Sequence, residues 1–510
     1  MAQYIAVLIR DSFAPVSVRK PRLAPKQSVT QDSAHLSAAS QLQQCPVGPQ
    51  LNTATRNLSR QNRALGEAAA TAISGPAQAA TAQIQAQMRQ GLCPYLSQAT
   101  QNNPGQDWSA LNLLRQSLEQ GQTDPVDFLH GVHQSYGPSL KVGDLLFESR
   151  PEVVSQILVA TENPNPERTQ FAKSTLQKHA LGQVYGDHTI FLENGSEWKA
   201  QRTSLQPHFV GRAVLSEENH QHLQDLTRKH LDSLPLGTPI DLNLKLRALS
   251  LDVAISHMFG MNLELKDLEN LAGLFERGGK LAQKKFFGLE CQDGALQHQL
   301  NEVADRLIAS PTPAPTLQTL LSDPHAVDKS WLREQVLMLT MLGHETTANM
   351  LTYSAAELVN HPQELAELRA EYQNTVGQAR PTLEQTTSLR VTRNAIKEST
   401  RLHAPNYLVS REALEDVSLD GMLISAGTQV LMSIPDTNEQ ANGKIFSFGG
   451  GTRVCMGQVL ARLEAAVVLS QLMTRFDLQP TAQTSLAPRS DFSSRPADAH
   501  YTLHKTDIAQ

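Results

Sequence analysis

Three patterned stretches dominate the apolar and polar positions of this chain. Between Ser330 and Pro362 no internal proline interrupts, and the spacing predicts one helix roughly 45 Å long at about 1.5 Å per residue. Its middle, VLMLTML, is apolar on every side, so the helix is expected to run through a core rather than along a surface. Residues 417–434, VSLDGMLISAGTQVLMSI, alternate and turn at Asp420-Gly421, a hairpin pattern. From Met456 to Thr474, apolar residues recur at Val459, Leu460, Leu463, Val467, Leu469 and Leu472, which predicts a buried helix. Long helices with a small β-region imply a mostly α fold. Ahead of residue 105 the pattern lapses: GEAAATAISGPAQAATAQIQAQMRQG has few large apolar groups to bury, although Ala, Gln and Met favour helix. Residues 1–105 are therefore expected to form a partly disordered extension, and 106–510 a helix-rich domain.

Composition narrows the function classes. Of 510 residues 40% are apolar, enough for a sizeable core, and the net charge of −6 gives no basic field for nucleic acid. No apolar run approaches the ~18 residues of a transmembrane anchor. The opening YIAVLI is too short for a signal sequence and has no basic segment before it. Residues 1–90 carry nine Lys or Arg against three Asp or Glu, a bias that an organellar transit peptide also tolerates. The four cysteines, Cys45, Cys93, Cys291 and Cys455, are far apart and form no C-x-x-C pair. Neither a disulfide framework nor a cysteine zinc site is indicated, and a reducing cytoplasmic setting fits, with an organelle as the alternative.

One cysteine is framed with care. In FSFGGGTRVCMG (446–457), Cys455 stands just ahead of the last predicted helix, whose uncommitted N–H groups and dipole favour an anionic sulfur. Gly449, Gly450 and Gly451 let the backbone approach a flat ligand, and Arg453 adds a cation nearby. A buried cysteine acting as a small hydrophobe is the plainer reading of such a residue taken singly. The spacing points further. Phe448, Gly451, Arg453, Cys455 and Gly457 reproduce F-x-x-G-x-R-x-C-x-G, which resembles the haem-binding loop of the cytochrome P450 family.

Other marks of that family occur in its order. LGHETTA (342–348) resembles its oxygen-activation motif, and places His344, Glu345, Thr346 and Thr347 in an otherwise apolar helix where unpaired polar groups are costly. KESTRLHAP supplies E-x-x-R through Glu398 and Arg401. GSEWKAQR places Trp198 and Arg202 on one helix face, and VSREAL contributes Arg411; in the family such residues meet a haem propionate. The resemblance runs from DPVDFLHGVHQSYG (124–137) to the C-terminus.

That resemblance implies a P450 fold and a haem-thiolate monooxygenase. Cys455 would ligate the iron of haem b (iron protoporphyrin IX), with Trp198, Arg202, Arg411, Phe448, Arg453 and Gly457 around the cofactor. Glu345 and Thr346 would be the acid–alcohol pair that serves dioxygen; its presence argues against peroxide-driven oxidation. One atom of O2 would enter an apolar small molecule such as a fatty acid or terpenoid, its pocket lid coming largely from 205–325. No flavin or iron–sulfur segment is recognisable, so an external ferredoxin or flavoprotein reductase is implied. Phe209, Phe275, Phe286 and Phe287 are each expected in the core.

The chain also departs from the family. Only IPDTNEQANGKI separates Ser433 from Phe446, so Arg401 and Cys455 lie 54 positions apart, and the longer meander with its arginine is missing. A buried Glu398–Arg401 pair would then be partly unsatisfied, unless a substitute residue fills the gap. Leu342 replaces a small residue, and IFSF stands where the family often has proline. A catalytically impaired haem-binding or scaffold protein is the alternative these departures raise.

Overall fold

The computed structural model describes residues 124–286 and 292–506. The N-terminal extension, with Cys45 and Cys93, and also Phe287 and Cys291, lie outside the described residues.

The uninterrupted apolar stretch forms a single helix, Lys329–Asn360, of 32 residues. The Asp328 carboxylate caps it, accepting from Ser330 N at 2.8 Å. It packs against helices Leu242–Phe259, Gly294–Ile308, Arg390–Leu402 and Gln458–Arg475, which explains its lack of a polar face. Each apolar side chain fully buried there contributes about 1.5–3 kcal/mol. The helix serves two cores in turn. Val336, Leu337, Met338 and Met341 join one with Leu251, Ile255 and Phe275; Ala348, Leu351 and Ala355 join another with Leu249, Leu469 and Leu472. The polar residues 343–347 fall at the junction between them.

Strands Val417–Leu419 and Met422–Ile424 pair antiparallel with Leu419 opposite Met422. Asp420 and Gly421 have φ of 49° and 75°, the left-handed pair that a two-residue hairpin turn demands. The rest of that alternating stretch goes elsewhere. Gln429–Ser433 is buried throughout, and enters a five-stranded sheet between Leu145–Glu148 (parallel) and Leu408–Ala413 (antiparallel). At that sheet's edge Phe171–Lys173 pairs with Leu408–Ala413 in a register that sets Lys173 opposite Arg411. Like charges directly opposed weaken a sheet, so this register needs a reason from beyond the sheet itself.

The shortened connection is filled. Residues Ile434–Gln440 form a short helix in which Ile434, Pro435, Asp436, Thr437 and Asn438 are all buried. Asn438 donates to the Arg401 carbonyl (3.2 Å) and to Ser447 Oγ (2.9 Å), and accepts from Phe446 N (2.6 Å). Ser447 in turn donates to the Thr400 carbonyl at 2.9 Å. One side chain thus ties the end of helix Arg390–Leu402 to the start of the cysteine loop. The feared burial of an unsatisfied Glu398–Arg401 pair does not arise. Arg401 donates twice to Glu398, at 2.9 and 2.5 Å, and the Glu398 side chain is 57% exposed. Among the described residues no helix is long and apolar enough to cross a membrane.

Asn438→Ala strands the Phe446 N–H and removes the tie to Arg401. It should cost about 2–4 kcal/mol, read as a lowered denaturation midpoint with an unchanged m-value.

Candidate active site

A cavity opens where the long helix faces the cysteine loop, with about 1660 Å³ of empty space including its mouth. Leu339, Leu342, Gly343, Thr346, Thr347 and Met350 form one wall, and Phe448, Gly449, Cys455, Gly457 and Leu460 form part of the other. Of the described residues in 205–325, expected to supply much of the lid, Phe209, Ala254 and Met258 line the cavity; Ile190, Phe191, Leu408 and Phe492 line it as well. Phe275 is core, and Phe286 borders a separate small cleft. The hollow between Leu265–Phe286 and Gly294–Ile308 has no cysteine or histidine in its lining among the described residues and lies away from this chemistry.

The cysteine loop is shaped by its glycines. Gly449 and Gly451 have φ of 74° and 62°, and a Cβ on Gly451 would overlap the Leu158 carbonyl oxygen. The loop closes through Cys455 N donating to the Phe448 carbonyl at 2.8 Å. Cys455 is exposed into the cavity it lines. Its place inside the cavity, away from bulk water, pushes the thiol up, against the N–H groups of Gly457 and Gln458 and the charges of Arg202 and Arg462, which pull it down. The cations acting on the sulfur are therefore Arg202 and Arg462. Arg453, the cation adjacent in sequence, turns to the loop before helix Gly195–Leu205, where it bonds the Glu193 carbonyl, Asn194 Oδ1 (3.0 Å) and Glu162 (3.3 Å). Arg462 lies over the Phe448 ring at 4.8 Å.

Four cations converge on the cavity: Lys173, Arg202, Arg411 and Arg453. Trp198 also lines it, with the Arg453 guanidinium over its ring at 4.5 Å. Arg202 donates to the Val454 carbonyl at 3.0 Å, and Arg411 to the Ser410 carbonyl at 2.7 Å and Thr161 Oγ1 at 3.2 Å. Desolvation, with Arg453 beside it, lowers Arg411 to about 9. Desolvation likewise lowers Arg453 to about 10, against the pull of Glu162. Lys173 falls well below its ordinary value through burial and then its two arginine neighbours. Among the described residues the one carboxyl lining the cavity is Glu464, which burial raises to about 8 against its hydrogen bond from Ser250. Lys173 has no motif to mark it in the sequence; only the sheet register brings it here.

The long helix divides its polar residues. Thr346 lines the cavity and donates to the Leu342 carbonyl at 3.2 Å. Glu345 is buried behind it, off the cavity wall, with neither carboxylate oxygen hydrogen-bonded among the described residues. Burial raises its pKa, while Arg247, Arg495 and the Ser493 hydroxyl oppose the rise. Ser493 itself lines the cavity. His344 points elsewhere, packing on Phe275 at 5.2 Å and bonding the Thr340 carbonyl at 2.7 Å. Gly343 has a packing reason as well, since a Cβ would press on Met258 and Ala254 of the neighbouring helix.

Comparison with known proteins agrees with this arrangement. The sequence profile of the family described as Cytochrome P450 matches residues 282–441 and 435–502, the two segments meeting at the short helix. A cyclooctat-9-en-7-ol 5-monooxygenase of Streptomyces melanosporofaciens is 26% identical over 71% of this chain and 87% of its own length. A cytochrome P450 monooxygenase of Talaromyces variabilis is 25% identical over 59% and 69% respectively, and a cytokinin hydroxylase of Arabidopsis thaliana 24% over 62% and 71%. The chain belongs to the cytochrome P450 family.

Membership makes it a haem-iron monooxygenase that uses O2, an organic substrate and a redox partner. The cavity suits the group that P450 enzymes carry. Its concentrated positive charge lacks an ionised carboxylate on the wall, as an anionic guest requires. A thiol opens into the same space beside glycines that keep side chains out of it.

Gly451→Ala forces both a left-handed backbone and a clash, at a cost of order 1–3 kcal/mol. Haem bound per chain after reconstitution should fall well below wild type.

Proposed function

We propose that this P450 binds haem b through Cys455 and inserts one atom of O2 into an apolar small molecule, drawing electrons from an external ferredoxin or flavoprotein reductase in the cytoplasm. The observation that carries the reading is Cys455 facing Thr346 across a cavity ringed by Lys173, Arg202, Arg411 and Arg453. When bound, haem iron supplies the activation of dioxygen.

The chain's own residues divide the remaining work. Cys455 is held by the N–H groups of Gly457 and Gln458, so a cation opposite its sulfur tips it to the thiolate against the upward push of burial. Arg202, Arg411 and Arg453 are placed to hold carboxylates, with Lys173 added by the sheet and Trp198 supporting Arg453 from its ring face. Phe448 packs beside the sulfur loop under Arg462. Thr346 offers a hydroxyl on the cavity wall. Glu345 holds its proton more firmly than an ordinary carboxylic acid, and Ser493, close to it and on the wall, gives that proton a way in. Apolar lining from Leu339, Met350, Phe209 and Phe492 favours an apolar substrate such as a fatty acid or terpenoid. The relative named for cyclooctat-9-en-7-ol is consistent with a small organic molecule of that kind.

The deciding measurement is the absorption spectrum of the reduced, carbon-monoxide-bound, haem-loaded protein. The red-shifted Soret band of thiolate ligation is expected in wild type and should be lost in Cys455→Ser; an unshifted wild-type band would reject Cys455 as ligand. Thr346→Ala should raise hydrogen peroxide released per product formed by about tenfold or more, the scale of a lost general acid–base contribution. Unchanged coupling would remove Thr346 from proton delivery.

A further inference from the structure

The short helix that fills the shortened connection carries a second cluster of ligand-type side chains, away from the cavity. Asp436 and Glu439 lie on it, and His130 faces them from helix Pro125–Tyr136; one donor atom from each lies within 4.8 Å of the others. We propose that His130 Nδ1, Asp436 Oδ1 and the Glu439 carboxylate bind a first-row divalent cation, with zinc the best fit, that clamps the short helix to helix Pro125–Tyr136.

The donor chemistry and the supporting groups both point this way. An imidazole nitrogen with two carboxylates suits zinc better than calcium or magnesium, which favour oxygen alone. Two carboxylates also balance the ion's charge. Asp436 is oriented by its other oxygen: Oδ2 accepts from Ser433 Oγ at 2.5 Å and contacts His133 Nδ1 at 3.1 Å, leaving Oδ1 against His130 Nδ1 at 2.5 Å. The far nitrogen of His130 is in contact with the Gln134 amide, so the ring is held at both ends. Such outer contacts are what fix a metal ligand's orientation. Donors on one tetrahedral zinc stand about 3.3 Å apart, so His130 and Asp436 need part by less than about 1 Å. The site has an entrance, because Glu439 is exposed and the His130 side chain is 19% exposed while Asp436 is buried at 6%.

Asp436 precedes Asn438, the residue that ties helix Arg390–Leu402 to the cysteine loop. An ion here would brace this connection from its outer side.

The test is calorimetric titration of the chelator-washed, haem-loaded full chain with Zn2+, with hydrogen exchange of 434–445 as a second readout. One saturable equivalent and slowed exchange are expected in wild type. His130→Gln and Glu439→Gln, which leave buried Asp436 in place, should each weaken binding by about tenfold or more and abolish the slowing. Absence of saturable binding, or wild-type affinity retained in both variants, would overturn the site by removing the ion or placing it elsewhere on the chain.

Discussion

Positive charge gathered around one cavity is the constraint to which the rest of this structure answers. Burying a single unpaired cation is costly, and here Lys173, Arg202, Arg411 and Arg453 line the same space. The partial compensations are visible: Glu162 beside Arg453, carbonyl oxygens of Val454 and Ser410, and an indole face from Trp198. None neutralises the ring. A sheet register that opposes Lys173 to Arg411 is one that an anion in the cavity would relieve. In the proposed function two haem carboxylates would meet that charge, and the thiol of Cys455 opens into the same space.

The long helix shows how a reactive surface can sit inside an apolar body. Its two halves belong to different cores, and buried polar residues occur along both, Gln335 and Thr340 in the first and Asn349, Thr352 and Ser354 in the second. The stretch 344–347 lies where the two cores meet. Within it, Thr346 meets the cavity, His344 packs on Phe275, and Glu345 is buried behind the wall with a raised pKa. Ser493, from another element, acts on that acid and also lines the cavity.

The short connection before the cysteine loop is closed by a buried helical turn and a single asparagine that satisfies two backbone groups and one hydroxyl. Glu398 and Arg401 pair with Glu398 mostly exposed, and Glu439 adds a second carboxylate near Arg401.

Local chemistry was readable from the sequence alone. The 32-residue helix, the Asp420-Gly421 hairpin and the framing of Cys455 depend on neighbours a few positions away, and a chain of this composition displays them directly. The family resemblance was carried by fixed spacings within such short windows. What the sequence could not show depends on distant pairings. Lys173 reaches Arg411 through strand register, Asn438 reaches Arg401 and Phe446 across a turn, and His130 reaches Asp436 over 306 positions. The direction of Arg453 away from Cys455, and of Glu345 away from the cavity, is likewise set by packing. Spacing along a chain fixes which residues are near in a helix or loop; only the closing of the tertiary structure sets which charges face each other, because burial and long-range contact are properties of the whole fold.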